Sequence, residues 1–302
     1  MRTSPSTLDA GSQGAMRALL LGTMAIWGLN LSVVKWLLAI QPAMAVAGIR
    51  MAVAAVFLTF AYRIWLRRPW PQLSRRQWLW LLGCALMLVY FNQTCFVYGI
   101  RGTSATNAAL IITLNPLMSS LLAAGVLRER VTRSRMAGVA IGFGGVAVVV
   151  LHQPGHALGV PGLGDLLVLA SVLSWAAGGT MVQRMAGQID TVTISWAVYG
   201  SGALMLLLHL CFWPAPIDWP AMTPLAVLAL LLSGLLSTGA SALIWNRALL
   251  TLGVARTALY AYWVPIFGVL FAVLLLGEPL TLWHGVGLAG VLAGTWLGTR
   301  RA

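Results

Sequence analysis

The chain of 302 residues is 60% hydrophobic and only 8% charged, with a mean hydropathy of +0.88; an ordinary soluble domain, in which about a quarter of residues are charged, is excluded. A formal charge of +13 invites a nucleic-acid reading, but such a binder needs a basic face on a water-soluble fold, and here the arginines fall in short breaks between apolar runs. The composition is that of an integral membrane protein whose basic residues signal topology.

Residues 1–15 are polar and read as a cytoplasmic tail without a cleavable leader, because the first apolar run is long enough to span by itself. Runs of about 17 to 25 residues, enough to cross roughly 30 Å of hydrocarbon, fall near 16–38, 43–62, 77–99, 104–127 and 136–151. After a connecting loop at 152–162, five more occur near 163–183, 191–213, 223–247, 254–276 and 282–298. Strand-type alternation is absent, so the expected fold is all-α with ten transmembrane helices. Cys84, Cys95 and Cys211 sit inside apolar segments and read as packing residues.

Orientation is set by the loops. With the N-terminus in the cytoplasm, all of the 19 basic residues except Lys35, Arg50 and Arg101 fall at inward connections or at the termini. The outward loops around IQPAM, HQPGHALGVPGLG and FWPAPIDWPAM carry no Lys or Arg. The positive-inside rule therefore places both termini in the cytoplasm.

The chain repeats itself. PLMSSLLAAGVLRERVT (116–132) aligns with PIFGVLFAVLLLGEPLT (265–281): Pro116 meets Pro265, Glu129 meets Glu278 and Thr132 meets Thr281 at a constant offset of 149. Gly138 and Gly287, then Gly145 and Gly294, continue the register, and Trp27 has a near partner in Trp175. The chain thus divides into two units, 16–151 and 163–299, each of five helices, and an odd number per unit inverts one copy relative to the other. Inverted repeats with a site between them suit alternating access, since exchanging the conformations of two equivalent halves turns an inward-open state into an outward-open one.

WGLNLSVVK in the first helix, the paired Pro-x12-Glu-x2-Thr blocks and GDLLVLASVLSWA in the sixth resemble the EamA-type carriers of the drug/metabolite transporter superfamily, over nearly the whole chain. The resemblance implies a ten-helix exporter of small metabolites in a bacterial inner membrane, akin to aromatic amino-acid exporters. It also implies that helices 1, 3, 4, 6, 8 and 9 surround a central cavity, with 5 and 10 peripheral.

Polar and aromatic side chains within the apolar runs fit that arrangement. Trp27 and Asn30 lie in helix 1, Tyr90, Asn92 and Gln93 in helix 3, Asn115 in helix 4, Trp175 in helix 6, Thr238, Ser241 and Trp245 in helix 8, and Tyr260 and Trp263 in helix 9. Amides are costly in hydrocarbon unless paired, so as a group these residues are read as lining a substrate site; for any one of them, interhelical hydrogen bonding alone is the alternative. The aromatic rings suit a flat or cationic substrate.

Pro116 and Pro265 each delete a backbone hydrogen bond within a span, a place for a hinge or a free carbonyl. Glu129 and Glu278 end the fourth and ninth helices, where a carboxylate opposes the helix dipole; each is expected to pair with a basic or hydroxyl group, such as a nearby arginine or Thr132 or Thr281, in a gate-locking or structural role. Lys35, the one lysine, is read as snorkelling to the outer interface. Arg50 lies about eight residues into helix 2 and needs a partner, a substrate carboxylate or a backbone carbonyl; the resemblance, in which basic residues at these places are common, favours architecture.

All six acidic residues fall at or beyond span ends, which disfavours proton antiport through a mid-membrane carboxylate. His209 in helix 7 keeps a proton-coupled exporter open as an alternative. Neither HExxH nor GxSxG occurs, and no pair of catalytic groups shares a depth, so an enzyme is excluded; no cofactor or metal is implied. The expectation is a carrier of neutral or zwitterionic metabolites, amino acids included, by facilitated diffusion or exchange, with a receptor or scaffold lacking net flux as the other class. The partners are a small-molecule substrate and the lipid bilayer, with no nucleic acid; the sequence carries no signal of oligomeric state.

Overall fold

The computed structural model describes residues 10–127, 133–152, 162–185, 187–252, 257 and 260–299. Glu129 and Thr132 lie outside the described residues. The described residues of the apolar runs are helical apart from end residues and turns at 113–114 and 261–262. In order the helices are α1 (Ala10–Ile40), α2 (Ala43–Trp65), α3 (Arg75–Arg101), α4 in two pieces (Ala105–Ile112 and Asn115–Leu127) and α5 (Arg133–Leu151). Then come α6 (Leu163–Met185), α7 (Thr191–Phe212), α8 (Pro224–Leu232 continuing to Leu252), α9 (Trp263–Leu276) and α10 (Leu282–Thr299). Among the described residues six of these, α1, α2, α3, α6, α7 and α8, are long and apolar enough to cross a membrane, and parts of α5, α9 and α10 are apolar but shorter. The protein is an all-α integral membrane protein.

Local sequence sets the ends. Ser74 and Gln77 form a reciprocal capping box at the start of α3, satisfying two orphan backbone donors. Thr223 caps α8 just before Pro224, whose missing N–H costs nothing in a first turn. Gly277, at φ 66°, closes α9 in the left-handed conformation that suits glycine.

Two spans expected to be continuous are interrupted. In α4 the helix stops at Ile112, turns at Thr113 and Leu114, and restarts at Asn115. In the segment expected at 254–276, Ala261 and Tyr262 form a turn and α9 begins only at Trp263. Pro116 and Pro265 sit just inside the restarted helices: each lacks the N–H that would bond four residues back and its ring crowds that carbonyl. The breaks therefore fall at matching places in the two halves.

A second irregularity also recurs. α3 is π-helical at Leu86–Phe91 and α8 at Ser233–Ala240, and the repeat offset maps the first onto the second. In α8 the hydroxyl of Ser241 donates to the carbonyl of Leu236, five residues back, at 2.6 Å, and Ser237 donates to the carbonyl of Ser233. Hydroxyls that compete for backbone acceptors loosen the regular ladder, and π turns concentrate at functional sites.

The principal packing pairs, α1 with α9, α4 with α6, α3 with α6, α1 with α8, α2 with α8, α3 with α7, α2 with α7 and α5 with α10, map onto one another when α1–α5 are exchanged with α6–α10. That is an internal pseudo-symmetry of contacts. The α5–α10 seam is built on glycine: a Cβ on Gly145 would lie 2.7 Å from the carbonyl oxygen of Gly287. The small residues of these two helices serve close packing, as their composition indicates.

Candidate functional site

At mid-bundle a chain of hydrogen bonds joins five helices. Arg50 on α2 is 2% exposed; its Nε donates to Ser233 Oγ on α8 at 2.6 Å, Nη1 to Gln93 Oε1 on α3 at 3.4 Å and Nη2 to Asn30 Oδ1 on α1 at 3.4 Å. Ser233 also donates to Asn30 Oδ1. Gln93 Nε2 donates to Asn92 Oδ1 at 3.0 Å, and Asn92 Nδ2 to the carbonyl of Ser171 on α6 at 2.9 Å. Gly234 lets this network form, because its missing side chain leaves room for the carbonyl of Arg50 and so brings Ser233 within reach of the guanidinium.

An aromatic group adjoins it. Trp27 lies one turn before Asn30 on α1, and its Nε1 donates to the carbonyl of Ser237, one turn beyond Ser233, at 2.8 Å. Its ring meets that of Trp245 at 5.5 Å between centroids. Tyr260 and Phe267 pack into the same cluster over Met24, Ala248 and Val264. Trp27, Asn30, Gln93, Trp245 and Tyr260 all remain half-buried. Rings and hydrogen-bonding groups thus meet within two turns of α1 and about three of α8, an arrangement that can hold a molecule with one flat apolar end and one polar end.

The other expected residues lie at varying distances from this junction. Ser241 is buried and turned back on its own helix, while Thr238 is half-buried on the π segment of α8. Asn115 begins the second piece of α4 with its Oδ1 buried and without a hydrogen bond. Trp175 is half-buried on α6, next to Ser174, whose hydroxyl reaches the carbonyl of Met87 in the π segment of α3 at 2.5 Å. Tyr90 does not join the group: its hydroxyl pairs with Nδ1 of His209 on α7 at 2.8 Å. Trp263 is 45% exposed and its nearest ring is Phe267, at 6.0 Å. Arg50, central to the network, lies on α2, outside the lining helices that the resemblance implied, and Ser233, although on α8, is not among the expected site residues; an arginine inside an apolar run was the visible signal for the first.

The gate candidate Glu278 and the lysine Lys35 behave differently from expectation. Glu278 does not pair with Thr281, whose backbone N–H instead donates to Nδ1 of His284 at 2.9 Å. Its carboxylate accepts the N–H groups of Ala105 at 2.7 Å and Thr106 at 2.9 Å and the Thr106 hydroxyl at 2.7 Å, so it caps the N-terminus of α4, where the helix dipole welcomes negative charge. Lys35, expected to snorkel, caps a C-terminus instead: Nζ donates to the carbonyls of Ile100 at 2.9 Å, Arg101 at 3.2 Å and Thr103. At this same end Thr103 donates to Asp165 at 2.5 Å and Gln41 Nε2 to the carbonyl of Asp218 at 2.8 Å. No group of three or more His, Cys, Asp or Glu able to hold a metal occurs among the described residues.

Comparison with known proteins agrees with this architecture. The chain is 24% identical to the uncharacterized transporter YetK of Bacillus subtilis, over 92% of its own length and 84% of the relative's. It is 32% identical to the probable terminal-alkyne amino-acid exporter of Streptantibioticus cattleyicolor, over 89% and 92%. It is 27% identical to the probable amino-acid metabolite efflux pump of Salmonella typhimurium, over 91% of each. A solved crystal structure with 18% identity superposes with a TM-score of 0.65 over 93% of this chain and 95% of the other, a likeness of fold alone. The EamA-like transporter family matches residues 16–151 and again residues 162–300; the chain belongs to that family and is a membrane transporter.

Proposed function

We propose that the protein is an alternating-access exporter of small neutral or zwitterionic metabolites, amino acids and aromatic ones among them, working by facilitated diffusion or exchange. In this reading ten helices form two inverted five-helix units, 16–151 and 163–299, in the inner membrane of a bacterial cell, with both termini in the cytoplasm. The observation that carries it is the mid-bundle junction of the polar chain Asn30, Arg50, Gln93 and Asn92 with the rings of Trp27, Trp245 and Tyr260. Such a junction matches the two ends of an aromatic amino acid. Two relatives named as exporters of amino acids or their metabolites support the cargo class.

The broken helices at Pro116 and Pro265, and the π segments of α3 and α8, are the points at which the two halves change shape in the cycle. Discontinuous helices at a central site are the usual means by which membrane carriers free backbone groups and bend. Thr238, Ser241, Asn115 and Trp175 line the path on either side of the junction, and Glu278 locks the outer end.

The test is flux. Purified protein in liposomes is expected to give saturable uptake of radiolabelled phenylalanine and tryptophan with no pH gradient imposed. Flux only with a gradient would instead favour proton coupling through His209 or the glutamates at the helix ends. Saturable binding without flux would move the protein to the receptor class.

A further inference from the structure

Arg50 is a buried cation whose partners are all neutral. Its guanidinium carries five N–H donors; three are used, on Ser233, Gln93 and Asn30, and the two bonds to amide oxygens are long at 3.4 Å. Among the described residues every carboxylate is engaged elsewhere: Asp165 with Thr103, Asp190 at the start of α7, Asp218 with Ala221 and Glu278 at the start of α4. A guanidinium taken out of water without a counter-charge is destabilising unless that charge arrives from outside. The fork of an arginine also matches a carboxylate in a way that a neutral amide does not.

The geometry points to Arg50 as the group that receives the carboxylate of the transported molecule, while Asn30 and Gln93 hold the guanidinium in place when the site is empty. The inference rests on the transport reading above and narrows it: cargo must carry a carboxylate, and the ring beyond it reaches the Trp27–Trp245 pair, since Trp27 and Asn30 occupy successive turns of α1. Substrate binding would shorten the hydrogen bonds of Arg50 by replacing amide acceptors with an anion, so the site is neutralised only when loaded. That gives the carrier a physical reason to cross between its two open states with cargo aboard.

The experiment compares phenylalanine with phenylalaninamide, which keeps the ring and amine and lacks the carboxylate, in counterflow by proteoliposomes. The wild-type protein is expected to take phenylalanine with a KM at least about 10-fold lower than the amide, the scale of one charge-assisted bidentate contact. Arg50→Lys should lose most of that preference. Because Arg50→Gln removes a buried network and could fail to fold, Gln93→Glu is the sharper variant: it supplies an internal carboxylate to Arg50. It is expected to keep or raise the thermal midpoint while erasing the preference for phenylalanine over the amide. A raised midpoint with unchanged preference would make Arg50 purely structural and overturn the inference, as would equal KM values in the wild-type protein, with the transport reading left standing. If neither compound crosses, the amino-acid reading fails by itself, and quenching of tryptophan fluorescence by 3-phenylpropionate against 3-phenylpropionamide decides Arg50: quenching by the acid that Gln93→Glu abolishes upholds it, and equal response to both overturns it.

Discussion

The middle of the bundle and its Glu278 end handle charge in opposite ways. At the end, Glu278 accepts three hydrogen bonds from the start of α4 and Lys35 donates three to the carbonyls that close α3. Each charge is matched by the helix terminus of complementary sign, in short contacts that tie α1, α3, α4 and the residues after α9 together. In the middle, Arg50 meets only neutral groups, two of its three contacts stretched to 3.4 Å, and Ser32 and Thr94, close in sequence to Asn30 and Gln93, carry buried hydroxyls that make no hydrogen bond. The charges at the end are fully engaged and the one in the middle is not. Saturation suits a clamp that holds helices in register, and an unsatisfied centre suits a place where bonds are completed by something that comes and goes.

The largest effect should come from breaking the clamp. Glu278→Ala removes a carboxylate from three donors and leaves only the Ser104 cap at the start of α4, at a cost of about 3 kcal/mol, read as a lower thermal midpoint in detergent. Glu278→Gln keeps one acceptor and should destabilise less; it is expected to lower the maximal transport rate with little change in KM. A large loss of affinity at unchanged maximal rate would put Glu278 in the binding site and erase the contrast between end and middle. Next in size is Trp27→Ala, which deletes one face of the aromatic group and the hydrogen bond to Ser237: KM for tryptophan should rise about 10-fold, or ~1.4 kcal/mol, with a modest change in midpoint. Pro116→Ala and Pro265→Ala fall between the two regions. Restoring the N–H and removing the ring that crowds the carbonyl four residues back should let the helix close across the break and raise the midpoint, and slow transport by about 5-fold, ~1 kcal/mol on the barrier.

How far the sequence carries depends on the range of each interaction. The apolar runs, the prolines at 116 and 265 and the small residues of α5 and α10 are local properties of composition and spacing, visible without coordinates, whereas the breaks before those prolines and the packing of α5 on α10 are not. Glu278 shows the limit: the nearest hydroxyl in sequence is Thr281, yet its partner is Thr106, brought close only by the packing of α4 beside the end of α9. Tyr90 shows another. At 3.6 residues per turn, positions two apart lie about 200° apart around a helix, so Tyr90 and Asn92 face different neighbours, and the π segment at Leu86–Phe91 shifts the phase of the remainder of α3 further; Tyr90 meets His209 while Asn92 meets the α6 backbone. Arg50 was legible as an anomaly, an arginine in an apolar run, whereas Ser233 was not, because serine is unremarkable in a membrane helix until its neighbour is known.

The smallest effect belongs to the other end of the molecule, where Asp190 caps α7 much as Glu278 caps α4, but in the open. Its side chain accepts from the N–H groups of Val192 at 3.2 Å and Thr193 at 3.1 Å and from the Thr193 hydroxyl at 2.6 Å. Partial burial pushes its carboxyl upward; the bonds from Thr193, the charge of Arg68 and the bond from Val192 outweigh that and hold it below the usual carboxylate range. A carboxyl lowered in the folded state adds stability that is complete above the unfolded value of about 4 and is lost as pH falls through the lower folded value. Asp190→Ala should therefore cost under about 1 kcal/mol at pH 7, since the site is largely exposed and screened. The gap between the two thermal midpoints should close as pH drops below about 4. If the gap at pH 7 instead matched that of Glu278→Ala, capping geometry alone would set the energetics, and the stronger role assigned to Glu278 through its part-buried place beside Lys35 would have to be given up.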